Sequence, residues 1–206
     1  MTTVDSLATA SVALPALLAT AAAVGVGHTL AGPDHYLPIA AVARSAGWSA
    51  RRALLFTAAA GVLHCAASAL VALLALSLAD TAALAGLQQW RGSAVGWAMV
   101  GVGVALLVAA WRGRRAQPRL PAVWLALFAL GPCEWLLPNA LAAGEHGIAG
   151  VLLVTAVFTL CTVATMVLAV AFALRVLPQW RRDDAWLRLL PGLTTAACGA
   201  LVCAGL

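Results

Sequence analysis

Six long apolar runs constrain this chain more than any other feature of its sequence. They cover roughly residues 12–43, 53–79, 93–111, 122–143, 147–174 and 189–206. A helix needs about 20 apolar residues to cross the hydrocarbon core of a bilayer. The chain is 64% hydrophobic and 9% charged, and its mean hydropathy is +0.99, far outside the range of soluble domains. The sequence therefore predicts an all-α, polytopic membrane protein in which residues 1–206 form a single transmembrane domain of six helices.

The arginines indicate how these helices are oriented. All twelve basic residues are arginines, and eleven of them fall in or beside the first, third and fifth loops, whereas only Arg91 falls in the second. Because Arg-rich loops stay on the cytoplasmic side, we expect a multi-pass protein of the plasma (inner) membrane with both termini outside the cytoplasm. This distribution explains the net charge of +5 without a nucleic-acid partner. The only charge before His28 is Asp5, so we expect the N-terminus to be retained rather than cleaved as a signal peptide.

A short motif recurs in the two halves of the chain. The stretch GPDHYLPIA at 32–40 aligns with GPCEWLLPNA at 131–140 after one inserted leucine. Each Gly-Pro lies twelve residues from a predicted cytoplasmic arginine, Arg44 or Arg119, but in opposite chain directions. Twelve helical residues span about 18 Å, which is close to the middle of the membrane. We therefore predict two inverted three-helix repeats, about 1–116 and 117–206, as in many secondary transporters.

Each Gly-Pro pair is expected to break its helix. Proline lacks an N–H and clashes with the preceding turn, and glycine tolerates unusual dihedral angles, so helices 1 and 4 should be interrupted there and restart as half-helices. Asp34 and Glu134 are the two acids that this arrangement places at mid-membrane. Even lenient insertion scales give a cost of about 2.5 to 3.5 kcal/mol for such a charge, so these residues usually serve a function.

The residues near the two breaks suit a transition-metal ion. His28, His35 and His64 should lie at the same depth, together with Asp34 and Glu134. Imidazole with carboxylate, and a thiolate from Cys133, suits Ni²⁺, Co²⁺ or Zn²⁺ better than Mg²⁺ or Ca²⁺, which prefer oxygen ligands. Simpler interpretations stay open. His64 can be a buried hydrogen-bonding histidine, Cys133 a packing residue, and the two acids proton carriers or helix caps.

The stretch HTLAGPDH at 28–35 resembles the nickel/cobalt permease group, especially its urease-accessory type, in which a histidine precedes G-P-D-H in the first helix. The stretch GPCEWLLP at 131–138 is similar to the second-half motif of that type. The resemblance implies a six-helix transporter for Ni²⁺ or Co²⁺ in which His28, Asp34 and His35 match the first motif, and Cys133 and Glu134 the second. Five residues separate His28 from Asp34 here, whereas the best-known permeases have four between the histidine and the Asp-His pair, and eight helices.

Three other functions fit parts of the sequence. A metal-binding membrane accessory protein for metalloenzyme maturation would use the same residues and would have metalloenzyme maturation proteins as partners. A membrane thiol-disulfide carrier also uses Gly-Pro-Cys, but it needs a cysteine in each half, and Asp34 occupies the position equivalent to Cys133. An exporter of small anions or amino acids would need arginines at mid-membrane, where we expect none.

Transport of a divalent nickel or cobalt ion is the preferred hypothesis. The transported ion would be bound by neutral imidazoles and ionised carboxylates, so that protonation of these ligands favours release. No cofactor is implied beyond the transported ion. A Walker loop, a dinucleotide fingerprint and a nucleophile with an evident base are all missing from the sequence, so we do not expect an enzyme.

Overall fold

A computed structural model describes residues 12–78, 81–113, 122–123, 125–127, 131, 133, 135–176 and 185–205. The α-helices in these ranges are α1 Leu14–Ala31, α2 Leu37–Ser45, α3 Ala50–Leu78, α4 Thr81–Trp111, α5 Leu136–Ala142, α6 Gly147–Val176 and α7 Ala185–Cys203. Two short 3₁₀ turns cover Pro33–His35 and Ala143–His146. The described part of the chain contains no strand, which confirms the predicted all-α class.

Within the described residues, five helical segments are long and apolar enough to cross a membrane. They are Leu14–Ala31, Ala50–Leu74, Gln89–Trp111, Leu136–Val176 and Trp186–Cys203. The fourth segment is not one continuous α-helix. The 3₁₀ turn Ala143–His146 lies between α5 and α6, and Gly147, the first residue of α6, has a φ of 66°. The predicted span 122–143 is described only in part. The membrane class is therefore supported, while the count of six helices and the inverted repeats stay predictions.

The outward surface of α6 is that of a helix in contact with lipid. Leu160 is 71% exposed and Phe172 is 68% exposed, whereas Phe158 and Met166 of the same helix are fully buried. Large apolar side chains exposed in this way are costly in water but stable in a bilayer. The inner face of α6 packs against α1 and α3. The long helices thus have an apolar exterior as well as an apolar core.

The first Gly-Pro breaks its helix, as predicted. Helix α1 ends at Ala31, and the Gly32 N–H donates to the His28 carbonyl in the last hydrogen bond of that helix. The chain then makes the 3₁₀ turn Pro33–His35 before α2 begins at Leu37. Asp34 and His35 therefore lie in a separate 3₁₀ turn between two helices, and not in the first turn of α2. The 3₁₀ turn places the two side chains side by side at the break.

The second loop differs from the prediction. Helix α3 ends at Leu78 and α4 already begins at Thr81, so Arg91 lies within a helix and not in a loop. Residues 81–92 contain several strong helix formers, Ala, Leu and Gln, which explains why the helix starts so early. The guanidinium of Arg91 donates to the Gly131 carbonyl at 3.3 Å, at the second Gly-Pro motif. Arg91 thus contacts the second Gly-Pro motif from within α4, where the sequence predicted a loop.

Small residues allow α4 and α7 to pack closely. A Cβ added at Gly103 would lie 2.5 Å from the Ala196 backbone nitrogen, and one at Gly199 would lie 2.7 Å from the Gly96 carbonyl oxygen. Close backbone approach of this kind replaces the hydrophobic driving force that helices lack in lipid. Helix α2 also packs against α7, so the half-helix that follows the first break is held by the last helix.

Candidate functional site

A cavity of about 570 Å³ lies at the first break. Five of the six residues predicted as metal ligands line it, namely His28, Asp34, His35, His64 and Cys133. The sixth, Glu134, lies outside the described residues. The lining of the cavity also includes Gln89 and Ser93 near the start of α4 and Cys203 at the end of α7. The fold therefore gathers residues from His28 on α1 to Cys203 on α7 around one space.

His35 is oriented by its own turn. Its Nδ1 lies 3.0 Å from the Gly32 carbonyl oxygen and 3.1 Å from Oδ1 of Asp34. Because a carbonyl oxygen can only accept, Nδ1 carries the proton and donates, and Nε2 keeps its lone pair in the neutral ring. Histidines that bind metals are usually oriented by a carboxylate or carbonyl in this way. Asp34 thus supports the His35 ring in this structure, in addition to lining the cavity.

His28 is oriented in the same manner from the last turns of α1. Its Nδ1 lies 3.1 Å from the Val24 carbonyl oxygen, so the proton is again on Nδ1. Its Nε2 lies 3.8 Å from Sγ of Cys133, and its ring stacks on Phe158 with a centroid distance of 5.2 Å. Two imidazoles near the first break thus have Nδ1 bound to a backbone carbonyl, and Nε2 of His28 lies next to Cys133 of the second Gly-Pro motif.

The three predicted histidines meet in a row. The ring of His35 lies between those of His28 and His64, with centroid distances of 5.1 Å and 5.2 Å and nearly perpendicular planes. His64 of α3 is buried. Within the part of the chain that the structure describes, however, no three His, Cys, Asp or Glu side chains form a group that could hold a metal ion as they stand.

Gly131 and Cys133 of the second Gly-Pro motif, which we call the second break, are not helical and contact residues of distant helices. The Cys133 N–H donates to Oγ of Ser68 at 2.9 Å, and Arg91 donates to the Gly131 carbonyl. Cys65, also on α3, belongs to the same cluster of buried side chains as Cys133. These three partners were missed by sequence reasoning. The sequence could have suggested two of them, because Cys65 directly follows the candidate ligand His64 and Ser68 lies one helical turn further along.

Comparisons with known proteins add no assignment to this geometry. No protein family, characterised protein or solved structure matches the chain. The resemblance to the nickel/cobalt permease group therefore rests on the two Gly-Pro motifs, and the function has to be inferred from the residues around the cavity.

Proposed function

We propose that this protein is a membrane transporter of a divalent transition-metal ion, nickel or cobalt, with its substrate site in the cavity at the first break. One observation carries the proposal. His28 and His35 line the same cavity, and each has Nδ1 bound to a backbone carbonyl, which leaves Nε2 as a metal-binding lone pair. Asp34 supplies a carboxylate beside them, and Cys133 supplies a thiol.

The chemistry of this set favours a borderline metal ion. Neutral imidazole suits Ni²⁺, Co²⁺ and Zn²⁺, whereas Mg²⁺ and Ca²⁺ require shells of oxygen. The carboxylate of Asp34 offsets part of the charge of a divalent cation, which would otherwise be costly in this apolar protein. We include His64 as a third imidazole, because its ring already contacts that of His35. Glu134 is proposed as a further ligand on the basis of its motif alone.

The broken helix gives the ion a route to and from this site. Discontinuous helices at the substrate site are typical of secondary transporters, since non-helical backbone is stable where it lines a cavity. The cavity extends toward the start of α4 and the end of α7. In the orientation predicted from the arginines, both of these ends face the outside of the cell. Protonation of the imidazoles would weaken binding and promote release.

The test is uptake of radioactive nickel into proteoliposomes, with Co²⁺ and Zn²⁺ as competitors. We expect uptake by the wild type and loss of uptake in His35→Ala. The matched control is His146→Ala, because His146 lies outside the cavity lining and bonds to the Val12 carbonyl. Absence of flux in the wild type, in both orientations and with a pH gradient, would refute transport. Metal bound to the purified protein without any flux would instead indicate an accessory role in metalloenzyme maturation.

Arg91 favours a second candidate, an exporter of small anions. Its guanidinium reaches the second break, where it donates to the Gly131 carbonyl. A cation at a broken helix can bind an anionic substrate. If the protein exports anions, Arg91→Gln should abolish anion efflux from loaded proteoliposomes, and nickel uptake should be absent from the wild type.

A further inference from the structure

Two buried thiols lie against each other beside the cavity. Cys65 on α3 is fully buried, and Cys133 at the second break is only 2% exposed. Both belong to the same cluster of buried side chains, and the two thiols are close enough to interact. The metal site proposed above uses Cys133 but gives no role to Cys65. The position of Cys65 beside Cys133 is therefore not explained by metal binding.

The backbone holds this contact in place. The Cys133 N–H donates to Ser68, which lies on the same face of α3 as Cys65, three residues further along. Helix α3 also packs against α5, which begins three residues after Cys133. Both the main chain and the side chain of Cys133 are thus bound to the same stretch of α3. A disulfide needs the two Cβ atoms about 4 Å apart, and this hydrogen bond places Cys133 beside the turn of α3 that carries Cys65.

We propose that Cys65 and Cys133 form a redox-active thiol pair that is oxidised to a disulfide by a low-molecular-weight disulfide. Cys133 lines the cavity and reacts first. Its thiolate attacks one sulfur of the oxidant, which forms a mixed disulfide and releases one small thiol. The Cys65 thiolate then attacks the Cys133 sulfur and releases the second small thiol. The two protein thiols lose two protons and two electrons in total, and the oxidant is reduced to two thiols.

The oxidation would change the cavity, and this consequence rests on the proposed metal transport. In the reduced state, Sγ of Cys133 lies 3.8 Å from Nε2 of His28 and is available as a soft ligand. In the disulfide, the same sulfur is bonded to Cys65 and no longer provides a thiolate. The pair thus works as a redox switch on the metal site. It also supplies one cysteine from each half of the chain, although Asp34 occupies the position that the sequence alignment indicated.

The chemical test uses 2,2′-dipyridyl disulfide, a small apolar oxidant whose thiopyridone product absorbs light. The protein is the full chain in nanodiscs with Cys161, Cys198 and Cys203 replaced by alanine. We expect the remaining pair to release two thiopyridones, to lose the mass of two hydrogens and to recover with dithiothreitol. The matched control, the same protein with Cys65→Ala, should stop at a stable mixed disulfide on Cys133. A stable mixed disulfide in the pair protein, or no reaction, would overturn the proposal.

Two further measurements keep the result interpretable. Peptide mapping of the oxidised wild type should find a Cys65–Cys133 linkage, which removes any dependence on the triple alanine variant folding correctly; a different pairing would contradict the proposal. Nickel affinity of the wild type should fall about tenfold or more on oxidation, the scale of losing a group that supports a metal site. Unchanged affinity would refute the switch. If the reduced protein binds no metal, metal transport fails as the function, whereas the thiol pair is judged by its own chemistry.

Discussion

The two Gly-Pro motifs align in sequence but are held in different ways. At the first break the hydrogen bonds are local, because His35 bonds to Asp34 and Gly32 within its own turn. At the second break, Gly131 and Cys133 have partners far along the chain in addition to local backbone bonds: the Cys133 N–H donates to Ser68, and Arg91 donates to the Gly131 carbonyl. A local turn forms wherever its residues are placed, whereas a break held by other helices depends on their packing. Similar motifs can therefore differ in how far they depend on the tertiary structure.

The largest expected effect tests the first break. In Asp34→Asn the side chain still reaches the His35 ring, but the negative charge beside the imidazoles is lost. Nickel uptake should fall by about 10- to 100-fold, the range found when a group that orients a metal-binding histidine is removed. The pH dependence of uptake should change as well. Uptake and its pH profile in proteoliposomes measure both effects, with Glu145→Gln as a control outside the cavity; unchanged flux and profile would exclude a role for Asp34.

The next prediction tests whether the second break depends on distant helices. In Gly103→Ala the new Cβ would collide with the Ala196 backbone and force α4 away from α7. We expect a loss of about 3 kcal/mol, the upper end for an overpacked site, and faster labelling of the Cys133 thiol. Gly101→Ala is the matched control, because a Cβ there meets no atom within 4 Å. It should gain up to about 1 kcal/mol from helix propensity. Equal unfolding temperatures for the two variants in detergent would contradict the packing argument.

A smaller effect is expected from Ser68→Ala. The variant leaves the buried Cys133 N–H without this acceptor, which should cost about 2 kcal/mol. Thermal unfolding in detergent measures this loss. Ser45→Ala is a suitable control, since the Ser45 hydroxyl donates to the Val42 carbonyl of its own helix, α2. If the two serine variants unfold at the same temperature, the second break does not depend on α3 in the way the structure indicates.

The smallest effect should come from Arg91→Gln. Its hydrogen bond to the Gly131 carbonyl is long, at 3.3 Å, and only partly buried, so its loss should cost about 0.5 to 1.5 kcal/mol. Nickel uptake should remain within about tenfold of wild type, because about 1.4 kcal/mol corresponds to a factor of ten. A complete loss of uptake would mean that Arg91 has a direct role in nickel transport.

Part of the candidate site could be predicted because its determinants are local. Gly-Pro interrupts a helix in any surroundings, and Asp34 and His35 are adjacent residues that the 3₁₀ turn keeps together. His28 lies near the end of α1, just before the turn that contains His35, so the closeness of the two rings also follows from residues near each other in the sequence. The sequence predicted that His64 lies at the same depth in the membrane as His28 and His35, and the contact between the His64 and His35 rings agrees with that prediction. Glu134 and the inverted repeat stay predictions.

The sequence by itself determined the membrane class, the first break and the histidines beside it, because hydropathy, proline geometry and helix spacing act over short distances. Only the tertiary structure decided which residues support the second break and where Arg91 lies. Cys65 and Cys133, and Ser68 and Cys133, are brought together by packing of α3 against the second half of the chain. No periodicity in the sequence encodes such a contact, since it depends on which faces of distant helices meet.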